Sequence, residues 1–176
     1  LRKLNELLKK KKVSISLPAM RGELFTEELA LLLKEVKKTG LTFAPETASE
    51  SLRRRLNKEF ANEQLIASTN AAYRQAGKQV KLYFMIGLPT EREDDLKGIV
   101  NLCRSALKEA RRAKSSAQIN VSISTFIPKA HTPFQWEPQS SMEEVRQKQK
   151  FLRQSLEQQG LRVKWPDSRL SFLEGV

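Results

Sequence analysis

Apolar residues along this chain switch repeatedly between two spacings, about 3.6 residues for helix and 2 for strand. Leu1, Leu4, Leu7 and Leu8 share one helical face over Leu1–Lys10. Val13–Leu17 alternates Val, Ser, Ile, Ser, Leu and stops at Pro18, which predicts a strand. Phe25–Lys38 carries Leu29, Leu32, Leu33 and Val36 at helical spacing, with Thr26 as N-cap and Gly40 just past the end. Leu41–Ala44 predicts a short strand ended by Pro45, and two helices follow, over 49–57 and 62–76, the second closed by Gly77. The inner face of that second helix is Leu65, Thr69, Ala72 and Ala76. Val80–Ile86 is the strongest strand and reads as apolar on both sides, as a buried parallel strand does.

A helix over 94–113 turns Leu96, Ile99, Val100, Cys103, Leu107 and Ala110 inward, with acidic residues in its first turn. Ile119–Ile127 alternates again. A helix over 141–159 opens on a capping box of Ser141 and Glu144 and closes at Gly160, and Leu161–Trp165 predicts a last strand. The order α-β-α-β-α-α-β-α-β-α-β argues for an α/β fold with a parallel sheet and right-handed crossovers. The one long loop is Pro128–Ser140, and no repeat or low-complexity segment interrupts the pattern.

Three of these strands end in unusual chemistry: Thr42–Ser49 (TFAPETAS), Tyr83–Glu91 (YFMIGLPTE) and Ser124–Trp136 (STFIPKAHTPFQW). Ligands of parallel sheets sit beyond the carboxyl ends of the strands, so the three ends point to one shared site. At the second, Gly87 lets backbone approach a ligand or take a positive φ, and Pro89 fixes the turn. Backbone groups of Met85 and Ile86 can pair there with the edge of a nucleobase; the alternative is a tight strand-to-helix connection. Glu46 either accepts hydrogen bonds from a ribose diol or an ammonium group, or is an exposed residue beside a helix cap at Thr47 or Ser49. Arg21, after the first strand, either clamps a carboxylate or phosphate or is an ordinary surface arginine. His131 is the only histidine and stands between Pro128 and Pro133; without Cys or carboxylate partners it reads as a surface residue rather than a base. Phe134 and Trp136 read as packing residues that pin the loop, and Cys103 as an inert core residue.

At 176 residues the chain is one domain of ordinary size, able to bury roughly 70% of its unfolded surface. It starts inside one helical pattern and stops inside an apolar run, so it reads as a piece of a longer protein. No apolar run approaches the roughly 20 residues of a membrane span and no signal peptide is visible. One cysteine excludes a disulfide framework, suits a reducing cytoplasm, and excludes a cysteine-ligated cluster or zinc site made by this chain alone. The net charge of +12 marks either a phosphate-rich partner or a solvated basic surface. Its basic runs, Lys9–Lys12, Arg53–Arg55 and Arg111–Lys114, fall where helices expose them, without interleaved aromatics.

Glu46-Thr47-Ala48-Ser49, followed by Leu52, Leu56, Asn57 and Lys58, resembles the Glu-Ser-Gly-Ser…Leu…Asn-Lys pattern of radical S-adenosylmethionine enzymes, especially those with a cobalamin-binding domain. Met85–Glu91 is similar to their Ile-Val-Gly-Leu-Pro-Gly-Glu turn, and Phe126–Pro133 to their Phe-x-Pro-x-Pro-Gly-Thr-Pro. Together with Leu17-Pro18, Arg21 and His131–Glu137, the pattern looks closest to a subfamily of large Fe–S oxidoreductases. The likeness runs from about residue 13 to the end, and the departures at Thr47, Ala48, Thr90 and Ala130-His131 leave the register intact. The family's Cys-x-x-x-Cys-x-x-Cys loop and its Gly-Gly-Glu segment do not occur in the chain.

The resemblance implies a fragment, about strands 3–6, of a partial TIM-like barrel of six β/α units. Residues 1–138 then form the C-terminal part of the barrel, and 139–176 a trailing helix and the start of the next segment. It implies that the intact protein cleaves S-adenosylmethionine reductively at a 4Fe–4S cluster to a 5′-deoxyadenosyl radical, with cobalamin as a further cofactor in some members. This chain would supply the adenine and ribose side of the pocket. Glu46 and Thr47 would lie near the ribose or methionyl part, the backbone of Met85, Ile86 and Gly87 against adenine, and Phe126, Ile127 and Pro128 would complete the slot. Arg21 would take a carboxylate. Alone, the chain is expected to bind the cofactor weakly and to turn nothing over. Two further readings are a basic module for RNA or another polyanion, and a structural piece that self-associates through an exposed sheet edge.

Overall fold

The computed structural model describes residues 40–58, 60–76 and 79–175, together with Lys3, Glu6–Leu8 and Lys11. The strand expected at Val13–Leu17, the helix at Phe25–Lys38, Arg21 and Gly77 lie outside the described residues, and of the helix at Leu1–Lys10 only Lys3 and Glu6–Leu8 are described, as helical. From residue 41 the order is β1 (Leu41–Glu46), α1 (Glu50–Arg55), α2 (Asn62–Ala71), β2 (Val80–Ile86), α3 (Glu93–Ala113), β3 (Ile119–Thr125), α4 (Met142–Glu157), β4 (Arg162–Lys164) and α5 (Ser168–Leu173). The strands form one parallel sheet in the order β1-β2-β3-β4. This is the α/β architecture that the alternation of periods predicts. Residues beyond 138 belong to the same sheet, because β4 pairs with β3 through Asn120–Arg162, Val121–Val163 and Ser122–Lys164.

Alternation along each strand divides the sheet into two unlike faces. Leu41 and Phe43, then Val80, Leu82, Phe84 and Ile86, then Ile119, Val121 and Ile123 are all buried. They share one core with Leu65 of α2, Leu96, Ile99, Leu102, Cys103 and Leu107 of α3, and Val145, Leu152 and Leu156 of α4. Right-handed crossovers between neighbours in sequential order keep α2, α3 and α4 on this side of the sheet. On the opposite face Thr42, Lys81, Tyr83, Met85, Asn120 and Ser122 are half-buried and Ser124 is exposed. The expectation that Val80–Ile86 is apolar on both sides is therefore corrected: Lys81 and Tyr83 give its second face a polar character.

Two boundaries differ from the sequence pattern for local reasons. Pro45 does not end the first strand; β1 continues to Glu46 after a register shift between Phe43 and Glu46 that leaves Glu46 opposite Phe84. A bulge absorbs the missing proline N–H, as bulges do at strand ends. The helix expected over 62–76 is α-helical only to Ala71 and continues as a π-helical turn, Ala72–Ala76. Its inner residues Leu65, Thr69 and Ala72 are buried as expected, the Thr69 hydroxyl donating to the Leu65 carbonyl at 2.9 Å. The α4 capping box forms, with Ser141 Oγ accepting from the Glu144 amide at 3.2 Å and Glu144 accepting from the Ser141 amide at 2.8 Å. The start of α5 has a cap that the hydrophobic pattern did not reveal, Asp167 accepting from the Arg169 amide at 2.9 Å. No helix among the described residues is long and apolar enough to cross a membrane.

Candidate functional site

The bulge in β1 delivers Glu46 in a left-handed conformation, φ 63°, and the Thr47 amide donates back to the Pro45 carbonyl at 2.8 Å. That i to i+2 bond around a positive φ is the rarer, strained γ-turn, a cost accepted where a side chain must be aimed. Glu46 pairs with Lys58 Nζ at 2.5 Å, and both side chains are mostly buried. Asn57, just before that lysine, also has a positive φ of 53°. Thr47 is fully buried and its hydroxyl accepts from the Ser49 amide at 3.2 Å, closing the turn into α1. Asn62 then ties α2 to this turn by donating to the Ala48 carbonyl at 3.1 Å.

At the end of β2, Gly87 has φ 77°, and a Cβ there would lie 2.9 Å from Ser140 Oγ. Backbone conformation and close approach both demand glycine. Gly87→Ala is expected to lower stability by about 1–2 kcal/mol from the left-handed backbone alone, read as a drop in the urea midpoint. An unchanged midpoint would show that the turn relaxes without cost. The Gly87 amide donates to Glu91 at 3.0 Å, and Glu91 in turn binds Lys148 Nζ of α4 at 2.6 Å, with its own side chain only 3% exposed. Thr90 is left-handed at φ 67° and its hydroxyl accepts from Arg55 Nη1, so the second loop is pinned to α1.

Beyond β3 the Phe126 amide donates to the Ile86 carbonyl at 2.8 Å, placing Phe126–Pro128 directly beside the β2 turn. A small apolar cluster binds the loops together: buried Leu52, Leu88 and Phe126, with Leu56, Met85 and Phe134 packed against them. Phe134 meets Phe126 edge-on, centroids 5.8 Å apart, as an aromatic pair prefers. Phe134 thus pins the long loop as expected, whereas Trp136 is 88% exposed and pins nothing. His131 is exposed, with φ 62° and its amide donating to Gln135 Oε1 at 3.3 Å.

The ends of β1, β2 and β3 therefore gather Glu46, Thr47, Met85, Ile86, Gly87, Phe126, Ile127 and Pro128 on one edge of the sheet. Two details differ from the sequence reading. The Ile86 carbonyl and the Gly87 amide, expected to meet a nucleobase, already bond Phe126 and Glu91. Arg53, placed by its arginine run among exposed residues, is fully buried. Burial pulls its guanidinium below the ordinary arginine pKa, while Glu50 and Glu63 act in the opposite direction. Lys58, Lys148 and Arg53 join this region without a place among the residues that the sequence pattern assigns to the site. Lys58 had a signal in the Asn-Lys that follows the Glu46 motif, but Lys148 lies 57 positions from its partner, beyond any spacing rule. Cys103 is buried in the core as expected, and burial pushes its thiol pKa far up.

No protein-family model matches the chain. Over 155 residues it is 33% identical to an uncharacterized protein of Methanocaldococcus jannaschii, an alignment that takes in 87% of this chain and 32% of that protein. The chain spans about a third of the length of the curated relative it matches.

Proposed function

We propose that the chain forms the adenine and ribose side of an S-adenosylmethionine pocket in a radical S-adenosylmethionine Fe–S oxidoreductase, as strands 3–6 of a partial barrel of six β/α units. The observation that carries this reading is the convergence of three strand ends on one edge, where an apolar cluster of Leu52, Met85, Leu88 and Phe126 lies beside the polar turn at Glu46 and Thr47. An adenosyl group has that same division, a flat apolar base joined to a diol. Sequential strand order with α2, α3 and α4 on one face also agrees with a barrel wall rather than a doubly wound sheet, whose order reverses.

In this reading the Met85 and Phe126 side chains take the base, and Glu46, held by Lys58, accepts from the ribose hydroxyls. Gly87, with its amide spent on Glu91, contributes close approach rather than a donor. Ile127 and Pro128 close the slot, and Arg21 is assigned the methionyl carboxylate. Among the described residues no three His, Cys, Asp or Glu side chains could together hold a metal ion, and Cys103 is shut in the core. The reading therefore gives these residues no cluster ligand and no part in the electron-transfer step. Cobalamin, an unidentified substrate and a cytoplasmic location belong to the same proposal for the intact protein.

The test is titration of the isotope-labelled protein with S-adenosylhomocysteine, followed residue by residue by NMR. Saturable shifts are expected at Glu46, Thr47, Gly87 and Phe126, with little dependence on salt. A specific observation favours the basic module as a second reading: Arg104, Lys108, Arg111 and Arg112 of α3 line a single cleft with Gln159. Silence toward the nucleoside, with an RNA oligonucleotide shifting those arginines and losing affinity steeply as salt rises, would transfer the function to that cleft.

A further inference from the structure

The sheet face turned away from α2, α3 and α4 carries side chains in rows that the strand register sets. Thr42, Lys81, Asn120 and Arg162 lie abreast, and Tyr83, Ser122 and Lys164 form a row nearer the carboxyl ends. Lys81 occupies a strand paired on both sides, a place that disfavours lysine. Its Nζ lies 5.6 Å from the Tyr83 ring centroid, which sets the ammonium beside the second row. Arg162 and Lys164 are exposed, and Lys81, Tyr83, Asn120 and Ser122 are half-buried, so a solute can reach them.

No carboxylate occupies a position in either row. The ion pairs of the described residues engage other cations, which leaves Lys81, Arg162 and Lys164 without a carboxylate among those residues. The nearest carboxylates along these strands are Glu46, held by Lys58, and Asp167, which caps α5. Even with Asp167 set wholly against them, three cations outnumber one carboxylate. Lys81 and Arg162 are two strand spacings apart, roughly 10 Å, and Lys164 lies roughly 7 Å beyond Arg162 along β4. Side chains this long can converge on one phosphate, with Asn120 and Ser122 adding neutral donors. A single-stranded nucleic acid would call for several stacking rings, and Tyr83 is the one aromatic residue in these rows. A closed barrel fills its interior with branched apolar side chains. Lys81, Asn120 and Ser122 suit an interior filled by a polar ligand instead.

We propose that this face binds a small phosphorylated molecule, its phosphate held by Lys81, Arg162 and Lys164 and its remainder lying along Tyr83 toward Met85. In the barrel reading this face is the interior, so the inference names the substrate class of that pocket and to that extent rests on that reading. The anion site itself does not.

The experiment follows the amide resonances of Lys81, Tyr83, Asn120, Ser122 and Lys164 in the isotope-labelled chain while inorganic pyrophosphate is added at constant ionic strength. Saturable shifts on these residues are expected. Affinity should fall about tenfold in Lys81→Gln and about threefold in Arg162→Gln, while Lys150→Gln, an equal loss of charge on α4, leaves it unchanged. The absence of saturable shifts overturns the proposal, as does an equal loss of affinity in all three variants, which would mark binding to net charge alone. Citrate bound more tightly than pyrophosphate overturns the phosphoryl assignment, and an RNA oligonucleotide bound far more tightly on the same residues overturns the small molecule. Should Lys81→Gln fail to fold, Arg162→Gln and Lys164→Gln decide, and unchanged affinity in both refutes the site. Pyrophosphate shifts on these rows with no response to S-adenosylhomocysteine at the strand ends would defeat only the adenosyl reading.

Discussion

Phe84→Ala is expected to lower the stability of the protein by about 3–5 kcal/mol, the range for truncating a fully buried phenylalanine. Phe84 is 0% exposed and stands in the middle of β2, opposite Glu46 on β1 and Ile123 on β3. Its ring fills the space between the sheet and the helical layer, and neighbours held by two flanking strands have little freedom to collapse into the void. A typical domain has a net stability of only about 5–15 kcal/mol, so this substitution alone brings the fold close to its limit. Equilibrium urea unfolding measures it, with Phe84→Leu as the milder companion at about 1 kcal/mol. A loss for the alanine variant no larger than for the leucine one would mean that β2 is not the centre of the core.

Glu91→Ala is expected to cost about 2–4 kcal/mol, below the full range for breaking a wholly buried pair because Lys148 remains partly in contact with water. The loss has two parts. The Gly87 amide loses its acceptor, and Lys148 loses the carboxylate that fixes its ammonium at 2.6 Å. Glu91→Gln retains an acceptor for the amide but removes the charge, and is expected to fall between wild type and alanine. Hydrogen exchange at the Gly87 amide separates this mechanism from general loosening. Exchange there should accelerate more in Glu91→Ala than at the buried amides of α3, and uniform acceleration throughout would rule out a local clasp.

Much of the scaffold was legible in the sequence because its elements are long and regular. The run Val80–Ile86 coincides with β2, and the Ser141 and Glu144 pair marks the start of α4. Both rest on rules that act within a few residues. The misreadings arise where contacts outside the helix and strand spacing rules decide. Three consecutive arginines look like a solvated surface, yet Phe60 and Asn62 enclose the first of them. Pro45 looks like a strand terminator, yet pairing with β2 carries the strand past it. Trp136 looks like an anchor by size, while the smaller Phe134 finds the aromatic partner. The convergence of the strand ends was legible from their shared change of chemistry, but the commitment of the Gly87 amide to Glu91 was not.

The order of the strands has a consequence for how the molecule comes into being. Each strand after β1 finds its partner already behind it in the sequence, about forty residues back in every case. During synthesis the sheet of described strands can grow by one edge at a time as the ribosome releases each crossover, and none of these strands has to be threaded between two already joined. The route is one of successive accretion rather than insertion, and the clasp on Glu91 closes only when α4 arrives with Lys148.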